Sequence, residues 1–408
     1  MTQKIFKQIR NEWRSNVWLC VELLIVSVVL WYVTDYLVAS YTVASRPLGF
    51  DVEHCYKLTI DKVSAQSPEY VPENEIDDYT QLRERFERRP EIEAVSTSAN
   101  SHPYIGSNSG GEITVDTLKA SGYNILRQVQ PDFVRVFRYE GLNGESPEEL
   151  AEVLRQGKAL ISANLLSEFG IEDPSGFVGK RVYMWEDSLS AMVVGAIIKP
   201  VRYHDYVQGT MNKTMVVPAP DAWYDWTIRV RENMDEDIVE KLMADAETQF
   251  RVGNFYLANV EPFSSLRDNI LRGEHTAQRN QLTIMGFLLV NIFLGMLGTF
   301  WFRTQQRVPD LAVRMVSGAT RGQIFRLLTG EGLLLLTIVT PIALAIDLNL
   351  AHLELNSYLE PYGYFSWTHV LLCGGIAYGL MAIMIVAGIA VPARRAMRIA
   401  PAEALRDE

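Results

Sequence analysis

The sequence of 408 residues predicts an α-helical membrane protein with four transmembrane helices and a large extracytoplasmic α+β domain. Two observations carry this prediction. Four mostly apolar runs are each long enough to cross a bilayer as a helix, and a mixed, acidic segment separates the first run from the second. The predicted transmembrane helices cover residues 17–40, 282–302, 332–350 and 368–391.

Lys and Arg residues cluster in the segments that would lie on one side of the membrane. They precede the first helix, occupy the loop 303–331 and follow the fourth helix, whereas residues 351–367 contain neither Lys nor Arg. Cytoplasmic loops carry this excess of positive charge. The N-terminus (1–16), the loop 303–331 and the tail (392–408) are therefore predicted to be cytoplasmic, and 351–367 is predicted to be a short external loop of an inner (plasma) membrane protein.

The segment 41–278 is predicted to form the periplasmic domain. It contains 24 Lys and Arg against 38 Asp and Glu, a net charge of −14, while the whole chain has −11. The acidity therefore belongs to this segment, where it serves solubility or attracts cationic partners. It gives no reason to expect nucleic-acid binding.

The two ends of this segment carry the same β-α-β pattern. The first end has strands at 53–60 and 94–99 around a helix at 75–89, and the second has strands at 226–230 and 255–262 around a helix at 234–250. We therefore expect two lobes. One is built from 41–100 and 220–278, and the other, 101–219, is inserted in it.

Two carboxylates fall inside the first apolar run. Glu22 is expected to need a protein neighbour or to reach back to the cytoplasmic interface, whereas Asp35 lies near the outer end and is expected to reach water. Cys20 and Cys373 also lie in apolar runs and Cys55 stands alone outside, so no disulfide is expected within the chain.

The chain lacks the sequence motifs of nucleotide and metal enzymes. Neither of its Gly-Lys pairs has the spacing or the hydroxyl residue of a phosphate-binding loop, and no zinc-protease or nucleophile-elbow motif occurs. His54 and Cys55 are adjacent, so on a strand they point to opposite faces and make a poor metal pair. The chain is expected to be non-catalytic and to bind no cofactor.

The loop 303–331 predicts a short amphipathic helix at the inner membrane surface. Pro309 suits a first helical position, and Leu311 with Met315 forms an apolar strip that Ala312 and Val316 extend. Asp310 and Arg314 have the spacing of an ion pair on one helix face. The apolar strip is expected to face either the membrane interface or a partner protein.

A sharp turn is predicted after this helix. Gly318 is placed to end it, and Thr320 with Gln323 has the spacing of a capping box that begins the next helix.

The loop sequence RVPDLAVRMVSGATRGQIFRLLTGEGLLL and the tail PARRAMRIAPAEALR resemble the MacB/FtsX/LolC superfamily of ABC transporter permeases. The segments VFRYEG, ALIS and DPSGFVGK within 133–185 are similar to the periplasmic core domain of MacB-like members. The chain departs from the family at Val308-Pro309-Asp310, where Arg-Glu is more usual, and it has no nucleotide-binding domain ahead of its first span.

The resemblance implies the permease subunit of a MacB-like (type VII) transporter, driven by a separate cytoplasmic ABC ATPase and acting in export. It also implies a homodimer or a heterodimer with a similar permease, and a periplasmic adaptor with an outer-membrane duct. A lipoprotein-releasing permease like LolC and a regulator of cell-wall hydrolases like FtsX are the alternatives. The ATPase-coupling residues it implies are Asp310, Leu311, Arg314, Met315, Gly318, Arg321, Gln323 and Glu331.

The fourth apolar run contains a Gly-x-x-x-Gly pattern at Gly375 and Gly379. Small residues at this spacing allow helices to approach closely in lipid. The pattern predicts helix packing, either within the chain or between two copies.

Overall fold

The computed structural model describes residues 13–167, 169–171, 173–185, 187–206, 213–219, 224–352 and 367–396. Most of the predicted N-terminal segment, external loop and cytoplasmic tail lies outside the described residues. The chain divides into two compact units. We call residues 1–42 with 275–408 the helix unit, and Val43–Glu274 the αβ unit.

The described elements are numbered in chain order. The helices are α1 (Trp13–Ala44), α2 (Glu75–Glu87), α3 (Phe133–Val136), α4 (Pro147–Arg155), α5 (Ala163–Ser167), α6 (Ile238–Ala244), α7 (Phe263–Gln306), α8 (Val308–Val316), α9 (Arg321–His352) and α10 (Trp367–Ala396). The strands are β1 (Cys55–Lys62), β2 (Ile92–Ala99), β3 (Ser109–Val115), β4 (Leu118–Val129), β5 (Ala159–Ser162), β6 (Arg181–Met184), β7 (Met192–Ile198), β8 (Thr214–Pro218), β9 (Asp225–Val230), β10 (Arg251–Val252) and β11 (Phe255–Pro262).

Four helices of the described chain, α1, α7, α9 and α10, are long and apolar enough to cross a membrane. The predicted number of apolar helices is therefore confirmed. Their lengths differ from the prediction, because α7 begins at Phe263, nineteen positions ahead of the predicted residue 282. Residues 263–281 are too polar to be recognised as part of a spanning helix, yet they continue the same helix.

The core of the helix unit is built from α1, α8, α9 and α10. Leu23 of α1, Leu336 of α9 and Met381 of α10 are completely buried in it, and Leu311 of α8 is 5% exposed. Helix α7 contributes only partly buried side chains such as Leu289. The interior of a single copy of the bundle is thus lined mainly by apolar side chains, with a few buried polar groups among them.

The first half of the αβ unit is a sheet of five strands in the order β10-β11-β1-β9-β2, with antiparallel pairing throughout. Alternate residues of β9, including Trp226 and Ile228, face a core shared with α2 and α6. Within that core the rings of Phe86 and Phe250 stack at 4.1 Å. Both faces of β9 are covered, since all six of its residues are buried.

The second half contains the other six strands, which form a closed ring. The order β4-β3-β6-β7-β5-β8 is completed by parallel pairing of β8 with β4. The interior holds apolar side chains such as Ile113, Ile161 and Val194. The two halves meet where β2 pairs with β4 over two residue pairs, Ser98 with Val129 and Ala99 with Gln128.

The strand order separates the ends of the segment from its middle. The five-stranded half comes from 55–99 and 225–262, and the six-stranded ring comes from 109–218. All eleven strands nevertheless belong to one sheet within one compact unit. The division into two lobes stays a prediction.

Candidate functional site

Helix α8 lies on the helix unit through its apolar strip. Leu311 is buried in the core of that unit, and Met315, one turn later, packs against the same core. The prediction that this strip faces a partner is therefore wrong for Leu311, whereas Met315 is only partly buried and its contact with a partner stays a prediction. The sequence indicated an amphipathic helix, but α8 has an internal surface to cover, and its larger apolar side chains cover it.

The opposite side of α8 carries exposed apolar and basic residues. Val313 is 52% exposed and Val316 is 66% exposed, and Arg314 lies exposed between them. Two exposed valines beside a cation give this side of α8 a small surface that is both apolar and basic. We call Val313, Arg314, Val316 and Ser317 the α8 outer face.

The turn after α8 is fixed by backbone geometry. Gly318 has a φ of +94°, its N–H donates to the carbonyl of Met315 at 3.0 Å, and the N–H of Ala319 donates to the carbonyl of Arg314 at 3.0 Å. This pair of bonds is the Schellman motif, which requires a left-handed residue after the helix. The prediction that Gly318 ends the helix is confirmed.

The next helix begins with the predicted capping box. The N–H of Thr320 donates to Oε1 of Gln323 at 2.9 Å, and the N–H of Gln323 donates to Oγ1 of Thr320 at 3.3 Å. Reciprocal bonds of this kind satisfy two donors that the first turn of α9 leaves open. Helix α8 is therefore joined to α9 by a turn with little conformational freedom.

A buried ion pair fastens the other end of α8. Arg307, which precedes the helix, donates from Nη1 and Nη2 to the two carboxylate oxygens of Glu331 at 2.7 and 3.3 Å. Glu331 is 6% exposed, so the pair is largely removed from water. Two-pronged Arg–carboxylate contacts are geometrically specific. The sequence signal was Glu331 itself, because an acid in an apolar helix needs a cationic partner.

The other predicted coupling residues belong to α8 or to the first turn of α9. Arg321 and Gln323 are exposed in the first turn of α9. Asp310 belongs to α8, but its side chain and the predicted pair with Arg314 lie outside the described part. The coupling role of the whole set stays a prediction.

The two glycines of the Gly-x-x-x-Gly pattern do not meet another helix. A Cβ atom added at Gly375 or Gly379 would find no described atom within 4 Å. The neighbouring Gly374 instead packs inward, because its Cβ would lie 3.1 Å from the side chain of Leu344. Packing of Gly375 and Gly379 within the described chain is therefore excluded, and contact with a second copy stays a prediction.

A second polar cluster lies in the αβ unit, and the sequence did not indicate it. The carboxylate of Asp205, 3% exposed, accepts hydrogen bonds from Tyr104 Oη at 2.8 Å and from Arg267 Nη2. Arg202 donates to the backbone carbonyls of Asp205, of Val43 at 2.9 Å and of Arg46 at 3.1 Å. We call Tyr104, Arg202, Asp205 and Arg267 the junction cluster.

The junction cluster joins two passages of the chain. Val43 lies in the last turn of α1, and Arg267 lies in the first turns of α7. Both are bound to the loop that follows β7, and both passages lie in the αβ unit. Burial, followed by the charge of Asp205, raises the pKa of Tyr104 above its usual range. Its hydroxyl therefore stays a proton donor.

Both acidic residues of the first apolar run have protein neighbours. Thr299 Oγ1 donates to Oε2 of Glu22 at 3.4 Å, which matches the expectation for Glu22. Asp35 is fully buried and lies 2.6 Å from Nε2 of His369. The expectation that Asp35 reaches water is wrong, because α10 covers it.

The outer cysteine and histidine make separate contacts. Cys20, Cys55 and Cys373 are all free thiols, as expected. Cys55 is buried with Sγ 3.2 Å from the carbonyl of Val136, and burial raises its pKa to about 12. His54 instead contacts Asp235. The side chains of His54 and Cys55 therefore do not converge on a common metal position.

Residues 282–401 match the family model described as FtsX-like permease C-terminal. This region contains α8, α9, α10 and the described part of the loop between the second and third apolar helices. The predicted resemblance to the MacB/FtsX type of ABC transporter permease is thereby confirmed. Together with the four apolar helices, the match indicates a membrane protein.

Two solved structures are similar to the chain in part. The periplasmic region of MacB from Actinobacillus actinomycetemcomitans aligns with 10% identity and a TM-score of 0.31, covering 56% of this chain and 97% of that one. The extracellular domain of the noncanonical ABC-type transporter YknZ from Gram-positive bacteria aligns with 13% identity and a TM-score of 0.29, covering 50% and 100%. None of the curated proteins compared with the chain matches it.

Proposed function

We propose that the chain is the membrane subunit of an ABC export system, and that a separate cytoplasmic ATPase acts on the α8 outer face. The observation that carries this proposal is the attachment of α8. A nine-residue helix is fixed at both ends, packed on one side and left apolar and basic on the other. The family match covers this helix.

The attachment of α8 supports a role in transmitting force. Leu311 ties the helix to the core of the helix unit, and the Arg307–Glu331 pair ties its N-terminal end to α9. The Schellman turn and capping box tie its C-terminal end to α9 as well. A partner that moves α8 would therefore move α9 with it, because packed elements shift as rigid pieces.

We propose that the αβ unit is the part that acts on the cargo. The apolar filling of the helix bundle supports mechanical transmission in preference to passage of cargo through one copy. The junction cluster supports the same mechanism. It joins α1, α7 and the loop after β7, so a displacement of either helix would reach the six-stranded ring.

The remaining partners follow from this proposal. The ATPase would bind ATP and Mg²⁺, and a second permease copy, identical or similar, would complete a symmetric pair. The cargo would be periplasmic, delivered to an adaptor and outer-membrane duct. Both termini would be cytoplasmic.

The test separates binding of the ATPase from its effect. A photo-crosslinking amino acid at Val316 in the tagged full chain, in cells of the source organism, is expected to trap a polypeptide that binds a labelled ATP analogue. Val316→Glu is expected to lower ATPase recovery with the chain by one to two decades, since burying a valine contributes about 1.5–3 kcal/mol. Full ATPase recovery with Val316→Glu would reject the α8 outer face as the contact.

Two further variants complete the design. Val178→Glu is a matched control, because Val178 is exposed to a similar extent, 48%, and lies in the αβ unit. It should recover the ATPase normally. Asp205→Ala should also recover the ATPase. It should lose coupling between ATP hydrolysis and transport, because it removes the carboxylate that binds Tyr104 and Arg267 in the junction cluster. Normal transport by Asp205→Ala would exclude the cluster from force transmission.

A further inference from the structure

Three side chains with metal-ligand atoms converge inside the helix unit. His369 and Cys373 are four residues apart on α10 and therefore share one face, with Nε2 and Sγ 3.5 Å apart. Asp35 of α1 lies opposite, with Oδ1 2.6 Å from the same Nε2. The three ligand atoms all lie within 4.8 Å of one another.

A fourth side chain gives independent reason to expect a cation. Asp347 of α9 is 1% exposed, and neither of its carboxylate oxygens has a hydrogen-bond partner among the described residues. Its charge interacts with that of Asp35. A buried carboxyl group without a hydrogen-bond partner is costly unless it is protonated or a cation lies nearby.

The burial of the group argues against a water-filled acidic patch. Asp35 and Cys373 are fully buried, and His369 is only partly accessible. Solvent therefore offers these groups little charge stabilisation. Any positive charge that stabilises them must lie inside the bundle.

The donor set selects the metal. One thiolate, one imidazole and one carboxylate match the ligands of Zn²⁺, whereas Mg²⁺ and Ca²⁺ prefer oxygen alone. The thiolate of Cys373 and the carboxylate of Asp35 together balance the two positive charges of zinc. A fourth position is left for water.

We propose that Asp35, His369 and Cys373 form a zinc-binding site that joins α1 to α10 within the helix unit. The alternative occupant is a proton. In that case Asp35 and His369 form a hydrogen bond between α1 and α10, and the Cys373 thiol takes no part. The two differ in whether the thiol becomes a ligand. The proposal does not depend on the proposed function.

The test uses the purified full chain in detergent, stripped with a chelator and titrated with Zn²⁺ alone or with Co²⁺ as its spectroscopic substitute. One equivalent of metal per chain is expected, and Co²⁺ should give a thiolate charge-transfer band together with the intense visible bands of tetrahedral coordination. Binding without the thiolate band, or no binding above that of chelator-treated buffer, would overturn the site.

Matched serine variants assign the thiol. Cys373→Ser is expected to abolish the charge-transfer band and weaken zinc binding at least tenfold. Cys20→Ser, which removes another thiol of the same unit, is expected to retain both. Equal metal binding by the two variants would overturn the proposal.

A measurement on the unaltered chain tests the site even if Cys373→Ser fails to fold. Zinc is expected to protect Cys373 from a maleimide reagent under partial denaturation, as measured by mass spectrometry of its peptide, while Cys20 remains as reactive as without metal. Alkylation of Cys373 at the same rate with and without zinc would reject the site.

Discussion

At the scale of single residues, Arg229 is a polar group on which the αβ unit depends. Its side chain is fully buried on β9, where Nε donates to Val136 O at 2.6 Å, Nη1 to Glu53 O at 2.9 Å and Nη2 to Asp51 O at 2.8 Å. The same guanidinium lies 3.2 Å from the carboxylate of Asp51. One side chain thus satisfies three backbone carbonyls from two separate segments, 51–53 and 136.

We expect Arg229→Met to destabilise the protein by about 3–5 kcal/mol, because it leaves buried carbonyls without donors. Thermal unfolding of the full chain in detergent should shift the Tm of the αβ unit down by roughly 6–20 °C. Arg231→Met is the control. Arg231 is exposed and bonded to one carbonyl, so its loss should cost less than about 1 kcal/mol. Equal shifts would contradict the argument.

A half-buried histidine beside the junction cluster predicts a pH dependence of stability. Burial lowers the pKa of His204 to about 4, and its Nδ1 accepts a hydrogen bond from the N–H of Tyr206 at 3.2 Å, which requires the neutral ring. The unfolded value is about 6.5. Between these two values the folded state therefore binds fewer protons than the unfolded state. The stabilising contribution of neutral His204, complete above about pH 6.5, is lost as pH falls towards 4.

The prediction is that Tm falls between pH 6.5 and pH 5 and that His204→Gln makes this fall shallower. His275→Gln, at an exposed histidine, should keep the slope of the unaltered chain. A slope unchanged in His204→Gln would show that other groups cause the acid sensitivity.

These residues also show where the sequence stops predicting. The alternation in β9 predicts a strand with one apolar face, and Trp226 and Ile228 confirm it. The same alternation assigns Arg229 to solvent. Its burial follows from the segments packed on the second face of β9, which lie far away in the chain. Asp205 was missed for the same reason, since Tyr104 and Arg267 reach it from distant positions.

At the scale of elements, short sequence patterns correctly predicted features formed by neighbouring residues. The structure places β11 at Phe255–Pro262, the range predicted from its alternation, and the Thr320–Gln323 capping box forms as its spacing indicates. The start of α7 was missed because helical continuity across residues 263–281 is invisible to hydropathy. The orientation of α8 was also missed, because a pattern of apolar residues does not reveal which side has a core to cover.

The turn after α8 gives a prediction at this scale. Gly318→Ala should cost about 1 kcal/mol, because a Cβ atom disfavours the left-handed backbone that the Schellman motif needs. Gly318→Asn should cost less, since asparagine tolerates that conformation. Neither side chain meets a neighbour, because nothing lies within 4 Å of the added Cβ.

The measurement is hydrogen exchange at the amides of Gly318 and Ala319 and their replacements. Exchange should be faster in Gly318→Ala than in Gly318→Asn, with ATPase recovery falling in the same order. The reverse order in exchange would mean that the backbone conformation of this residue does not hold the turn.

At the scale of the whole molecule, the closed ring of strands is the feature that sequence reasoning could not supply. Its closing contact joins β4 to β8, whose paired residues Ile125 and Thr214 are almost ninety positions apart. No turn signal or period connects them. The predicted mixture of strands and helices in 101–219 was consistent with many arrangements, and the choice among them rests on how Ile113, Ile161 and Val194 fill one interior.

The topology is the prediction that concerns the entire chain. Basic residues at 303–331 and none at 351–367 predict that the αβ unit lies outside and α8 lies inside. Ser107 of the αβ unit and Ser317 after α8 are both exposed in the described structure, so a cysteine at either site is accessible unless a membrane separates it from the reagent.

In cells with a permeable outer layer, an impermeant maleimide should label Ser107→Cys and spare Ser317→Cys, and both should react after the inner membrane is dissolved. The chain without added cysteines is the blank, since Cys55 and Cys373 are buried and Cys20 is half-buried. The opposite labelling pattern would place α8 on the outer side of the membrane. A cytoplasmic ATPase could not reach it there, and the proposed coupling would have to be abandoned together with the topology.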